Sequence, residues 1–292
     1  MEAVVAPDHT TEGWLSGLIG VVIFSGTLPA TRVAVGSLSP LFVTSARATI
    51  AACIAIGCLA VVRQGRPTMA DLRSLAIVSL GVVVGFPLLT GLALQNITAA
   101  HSIVFIGLLP LATAMFGVAR GSERPRPAFW LWSSIGAATV VGFALLTSGG
   151  GNLQGDLLML GAIALAGLGY ADGATLSRRL GGWQVISWAL VLALPLMLLL
   201  AIASAPASPA SVAPSAWLGL AYVGVLSMFV GFVFWYRGLA LGGIAGVGQL
   251  QLLQPFMGLF LAAAILGETL APAMVAACAV VVLCVVGARR AS

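Results

Sequence analysis

The chain has 292 residues, of which 60% are hydrophobic and only 7% charged, with a mean hydropathy of +1.12. A globule of this size needs far more polar surface to remain in water, so most of its solvent is lipid. All thirteen basic residues are Arg, and they bracket apolar runs instead of gathering in one patch, so the net charge of +5 is not the footprint of a nucleic-acid binder.

A hydrocarbon core about 30 Å thick needs about 20 apolar residues per helix. The runs predict ten helices, over 14–35, 40–62, 72–95, 98–119, 128–148, 154–177, 183–203, 214–240, 244–266 and 270–288. Unbroken apolar runs exclude a barrel, whose strands alternate in polarity. The expected fold is therefore an all-α integral membrane protein with ten transmembrane helices. Glu2, Asp8 and Glu12 precede the first run without a basic residue, unlike a cleaved signal peptide, and the first helix is expected in the mature protein. Cys53, Cys58, Cys278 and Cys284 all fall inside apolar runs, where free Cys acts as a small hydrophobe, so neither a disulfide nor a metal site is expected. The longest loop, the Ala/Pro/Ser stretch around 203–215, is too short for a soluble domain.

Arg63, Arg66 and Arg73 flank the second loop, Arg120, Arg124 and Arg126 the fourth, and Arg178 and Arg179 the sixth. Arg237 precedes the eighth, and Arg289 and Arg290 close the chain. With ten helices these all share one side, which predicts a multi-pass protein of the cytoplasmic (inner) membrane with both termini cytoplasmic. Trp14, Trp130, Trp132, Trp183 and Trp217 stand at helix starts, as interfacial aromatics do.

An offset of 145 residues places Leu94 on Leu239, Ala100 on Ala245, Leu108 on Leu253, Pro110 on Pro255, Ala119 on Ala264 and Glu123 on Glu268. A mid-helix Pro followed thirteen residues later by a helix-ending Glu recurs in both halves. The chain therefore reads as two repeats, 1–150 and 151–292, and because each holds five helices the second enters the membrane inverted. Inverted repeats are a transporter architecture with the substrate near the midplane. The segments Ala93 to Pro125 and Gly238 to Pro272, with Ser39-Pro40-Leu41 leading to Arg47 and Ala48, resemble the paired halves of the EamA-type drug/metabolite transporter superfamily. That resemblance implies an inverted five-plus-five repeat, a cavity lined mainly by helices 1, 3, 4, 6, 8 and 9, and export of metabolites, with the amino-acid exporter branch the best match. Helix 1 departs from many relatives in carrying Phe24-Ser25-Gly26 where they have Trp-Gly.

Pro110 and Pro255 cannot donate to the carbonyls of Ile106 and Gln251 and are expected to kink helices 4 and 9, as hinges or as bends fitted to their neighbours. Gln249, Gln251 and Gln254 make helix 9 the most polar stretch at membrane depth. Gln251 and Gln254 share a face and read equally as substrate contacts or interhelical glue, whereas glue suits Gln249 better. His101, in the outer third of helix 4, is either satisfied by a neighbouring helix or proton-sensitive. Asp172, six residues before Arg178, reads as a local ion pair or a cavity-mouth residue. Arg32 and Arg47, near the outer ends of helices 1 and 2, could pair with Glu268 as an outer latch. Phe24, Phe86, Phe105, Tyr170, Tyr222 and Trp235 lie on the presumed cavity helices and could stack an apolar solute or simply pack. Gly81/Gly85 and Gly238/Gly242/Gly246 permit close helix approach.

No cofactor motif, catalytic triad order, zinc-ligand run or phosphate loop is present. The expected activity is secondary export of small organic metabolites by alternating access, amino acids first, including aromatic or apolar ones, and nucleosides or toxic compounds as the alternative. The expected partners are that solute and the bilayer, in a chain that can act as a monomer. A lipid-modifying enzyme lacks its polar catalytic cluster, and a scaffold gives no reason for paired mid-helix prolines beside three amides.

Overall fold

Lipid offers no partner for backbone N–H and C=O groups, so a spanning chain must satisfy them within helices. The computed structural model describes residues 10–97, 102, 105–120, 123–147, 152–254, 256–258 and 272–291, and every regular element among them is helical. In chain order they are α1 (Thr10–Val35), α2 (Pro40–Val62), α3 (Met69–Asn96), α4 (Leu109–Ala119), α5 (Pro127–Thr147), α6 (Leu153–Leu180), α7 (Gly182–Ala203), α8 (Pro214–Gly242), α9 (Ile244–Gly248, continued as a 3-10 turn over Gln249–Leu253) and α10 (Pro272–Ala291). Helices α1, α2, α3, α6, α7 and α8 are each long and apolar enough to cross a bilayer. Parts of the fourth and ninth predicted helices lie outside the described residues. Elsewhere the predicted limits hold to within four residues.

Helix ends follow local chemistry. Ser39 caps α2, its Oγ accepting from the Phe42 N–H at 3.1 Å, with Pro40 next in the N1 position that needs no donor. Thr68 and Asp71 cap α3 reciprocally. Asn152 opens α6 by accepting from the backbone N–H groups of Gln154 and Gly155. Gly181 and Gly243 join α6 to α7 and α8 to α9 in single-residue turns at φ +96° and +90°, where a side chain would be strained.

The helices pack as an inverted five-plus-five repeat. Helix α1 packs on α8 and α3 on α6, while α2 meets α7, α4 meets α9 and α5 meets α10. Exchanging the halves maps this set of contacts onto itself, the signature of a pseudo-two-fold axis in the membrane plane. The α1–α8 and α3–α6 crossings are backbone contacts: a Cβ on Gly238 would sit 2.6 Å from the Gly17 nitrogen, and one on Gly81 would sit 2.6 Å from the Leu165 oxygen. Large apolar side chains such as Leu80, Leu146, Leu199 and Leu283 face outward, where lipid covers them.

The repeat extends to irregularities. Helix α3 widens into a π-helix at Ser79–Gly85 and α8 at Tyr222–Gly231, and the 145-residue offset carries the first onto residues inside the second. In α3 Pro87 has no N–H for the carbonyl four residues back, and Phe86 donates to the Gly81 carbonyl, five back. Proline also acts at the centre of helix 4. The chain turns at Gly107 and Leu108 and α4 restarts at Leu109, with Pro110 in its first turn, so the kink expected there is a break in the helix. Pro255 lies outside the described residues, but the carbonyl it cannot serve, that of Gln251, accepts from the Gln254 N–H through the 3-10 turn.

Candidate functional site

A cavity of about 20 Å³ lies between the repeats, lined by Phe24, Thr27 and Leu28 of α1, Arg47 of α2, Val82 and Phe86 of α3, Ile106 and Leu109 of helix 4, Tyr170 of α6, Ser227 and Phe232 of α8, and Gln254 beyond α9. These are the six helices implied by the family resemblance, with α2 added through Arg47. A ligand pocket usually measures about 300–1,000 Å³. This conformation is therefore contracted, and an organic solute fits only after its walls part.

The walls differ in chemistry. Under the 145-residue offset Val82 maps to Ser227, Ile106 to Gln251 and Leu109 to Gln254. At these three positions the first repeat carries apolar residues and the second polar ones, while Thr27 and Arg47 add polar groups from the first repeat to the lining. Gln254 Nε2 donates to the Phe24 carbonyl at 3.2 Å. Gln251 is fully buried beside Tyr170, yet its amide makes no hydrogen bond of normal geometry, and neither does that of the fully buried Gln249. An unmade buried bond costs about 1–3 kcal/mol per group. The expected glue role of Gln249 therefore has no bond to support it among the described residues.

Helix α1 breaks at Gly26, within Phe24-Ser25-Gly26. Pro29 removes the N–H due to the Ser25 carbonyl. Neighbouring carbonyls are served from the other repeat, Ile23 by the Tyr222 hydroxyl at 2.7 Å and Phe24 by Gln254. A Cβ on Gly26 would meet the Tyr222 oxygen at 2.3 Å, so that residue must lack a side chain for the bond to form. Tyr222 consequently supports the α1 break and does not line the cavity.

Phe24, Phe232, Tyr170 and Trp235 form one aromatic cluster with ring centroids 5.0–6.1 Å apart. The first three reach the cavity, while Trp235 stands behind them, fully buried, its indole N–H without an acceptor. Phe86 also lines the cavity. Phe105 is buried, but Ile106 and Leu109 are the lining residues of its helix.

The charged residues separate into two groups. Among the described residues four ion pairs tie the first repeat to the second where the Arg-bearing loops gather: Glu12–Arg237, Asp71–Arg179, Arg120–Asp172 at 2.6 Å and Glu123–Arg178 at 2.8 Å. Asp172 is therefore paired, with Arg120 of helix 4 and not with Arg178. Glu123 also accepts from the Ile244 and Ala245 N–H groups, both at 2.6 Å, and so clamps the start of α9 to the loop after α4. At the opposite end Arg32 donates to the Leu94 carbonyl, tying α1 to α3. Arg47 stands apart from the outer-latch expectation. It is 4% exposed, about 10 Å into α2, turned into the cavity and bonded through Nη2 to Ser227 Oγ at 3.2 Å. Its expected partner Glu268, like His101, lies outside the described residues.

Sequence reasoning missed Thr27 and Ser227, whose hydroxyls meet at 2.9 Å across the cavity wall. Membrane hydroxyls commonly bond their own helix, as Thr49, Thr113, Thr175 and Ser177 do here. The available signal for Ser227 was its repeat position opposite Val82.

A solved crystal structure superposes with a TM-score of 0.78 over 95% of this chain and 98% of its own, at 20% identity, and so shares the fold. The uncharacterized transporter YdeK of Bacillus subtilis (strain 168) is 61% identical over 283 residues, 97% of this chain and 99% of its own length. The model of the EamA-like transporter family matches twice, over residues 11–148 and 153–289, once for each half of the bundle. With both of its halves matched, this chain belongs to the EamA-like transporter family and is a multi-pass membrane transporter.

Proposed function

We propose that this transporter exports amino acids, those with apolar or aromatic side chains first, by alternating access across the cytoplasmic membrane. The observation that carries this reading is the cavity between the two repeats, where aromatic and aliphatic side chains face Gln254, with Gln251 buried beside Tyr170. Such a site suits a solute with an apolar body and a small polar end, and its amides bind polar groups without imposing charge. The moving units are the repeats, 1–150 and 151–292, rocking about the cavity, with helix 4 broken at Pro110 and helix 9 tightened before Pro255 as hinges. The ion pairs and the Glu123 clamp hold the Arg-bearing end shut in this conformation. By the positive-inside rule that end is cytoplasmic, as are both termini.

The test is efflux from proteoliposomes preloaded with labelled leucine, phenylalanine, serine, uridine or a cationic dye. The reading expects leucine and phenylalanine to leave fastest. Saturable efflux of uridine or the dye with none of the amino acids would overturn it.

A further inference from the structure

Among the described residues Arg47 is a buried charge without a counter-charge. Its Nε–H has no acceptor, and its one hydrogen bond goes to a neutral hydroxyl, that of Ser227. No Asp or Glu is among the described residues that line the cavity. The acids that pair among the described residues do so with other arginines at the Arg-bearing end: Asp172 with Arg120, Asp71 with Arg179, Glu123 with Arg178 and the start of α9, and Glu12 with Arg237. Intramembrane charges pair or mark a substrate path, and with no counter-charge among the described residues the path remains. The hydroxyls beside it prepare the same ligand. Thr27 and Ser227 share one hydrogen bond between two O–H groups, so one hydroxyl proton of the pair is left to donate. Guanidinium N–H and hydroxyl O–H thus meet in the lining of a cavity that also presents Phe24, Phe86 and Phe232.

We infer that Arg47 is the anion subsite of the transporter and that its solute carries a carboxylate, seated on the guanidinium edge and the Thr27–Ser227 pair with the apolar body among the phenylalanines. This inference rests on the reading of the cavity as the substrate site and goes beyond it. One cation in an apolar cavity neutralises one negative charge, which selects a monocarboxylate over a dianion. No cavity carboxylate awaits an ammonium group, so carboxylates without an α-amino group bind as well as amino acids do.

The test is thermal-shift and calorimetric binding to the full chain in detergent, with L-phenylalanine, 3-phenylpropionate, L-phenylalaninamide and phenethylamine as probes. Both acids are expected to bind and the amide and amine to bind at least tenfold more weakly. Arg47→Gln should lower acid affinity about 10- to 100-fold, as loss of a charge-assisted hydrogen bond does, and Arg47→Lys less. Ser227→Ala removes the protein's own partner of Arg47; a purely structural Arg47 would make it as disruptive as Arg47→Gln, with no acid preference in either protein. Equal binding of acid and amide, unchanged affinity in Arg47→Gln, or binding of no acid would overturn the inference. Should Arg47→Gln not fold, the wild-type acid and amide comparison decides. Acid binding that needs Arg47, without amino-acid efflux, would sink the amino-acid reading alone.

Discussion

The clamp on α9 makes a quantitative prediction. Glu123 uses one oxygen for the Ile244 N–H and the other for the Ala245 N–H, both at 2.6 Å. In Glu123→Gln one oxygen survives, and an amide NH₂ is set against the remaining N–H donor. The loss of one charge-assisted bond amounts to about 2 kcal/mol. The ion pair to Arg178 adds little, because Arg178 is 38% exposed on its side chain and such pairs contribute about 0–1 kcal/mol. A change of about 2 kcal/mol enlarges the population open at the Arg-bearing end about 30-fold. Thr113 reports that opening. It is fully buried, one turn beyond the cavity residue Leu109, and would lie 3.7 Å from a Cβ on Gly248 of α9. In a background without Cys53, Cys58, Cys278 and Cys284, alkylation of a Thr113→Cys protein should run about 30-fold faster with Glu123→Gln added, and less than about fivefold faster with Arg178→Ala. Equal rates for the Glu123→Gln and parent proteins would refute the clamp.

Other outcomes follow from the same structure. Gln251→Leu and Gln254→Leu should each lower transport in folded protein, whereas loss of thermal stability in detergent, with transport scaling to the folded fraction, would return these amides to a packing role. Tyr222→Phe removes the bond to the Ile23 carbonyl at the α1 break and should cost about 1 kcal/mol in stability, read as a lowered Tm; an unchanged Tm would deny that support. With both termini cytoplasmic, an impermeant thiol reagent outside cells should label a Cys at Ser208 and miss one at Gly65, and the reverse pattern would end the proposed orientation. Uptake down a substrate gradient should persist with equal pH on both sides and no membrane potential; a strict need for a proton gradient, abolished by His101→Gln, would make His101 the coupling residue.

Helix number, the inverted repeat and the disruption at Pro110 were legible because each rests on a strong local signal: runs of apolar residues, one odd-numbered duplication and a missing N–H. The cavity helices were legible only through family resemblance, and α2 was absent from that set. Arg47 shows why. About 10 Å from a helix end, an Arg side chain can snorkel to the interface or turn inward, and nothing in its neighbours along the chain decides between them. Thr27 and Ser227 were hidden among hydroxyls that bond their own helices. The pairs at the Arg-bearing end joined residues far apart in sequence, so Asp172 met Arg120 and not Arg178, six residues on. Tyr222 and Trp235 sat on the right helices, but the π-helical turns of α8 set which of its residues face the cavity, and no residue pattern announces those turns.

Alternating access between the two repeats is most directly tested by fastening them together at the end this structure holds shut. In a cysteine-free background, Glu12→Cys and Arg237→Cys replace an ion-paired couple that spans the repeats, and a cleavable bis-thiosulfonate reagent can join them. Counterflow of labelled phenylalanine in proteoliposomes should stop on cross-linking and return on reduction. Counterflow that continues through fully cross-linked protein would contradict the account, because solute would then be crossing without the repeats moving apart.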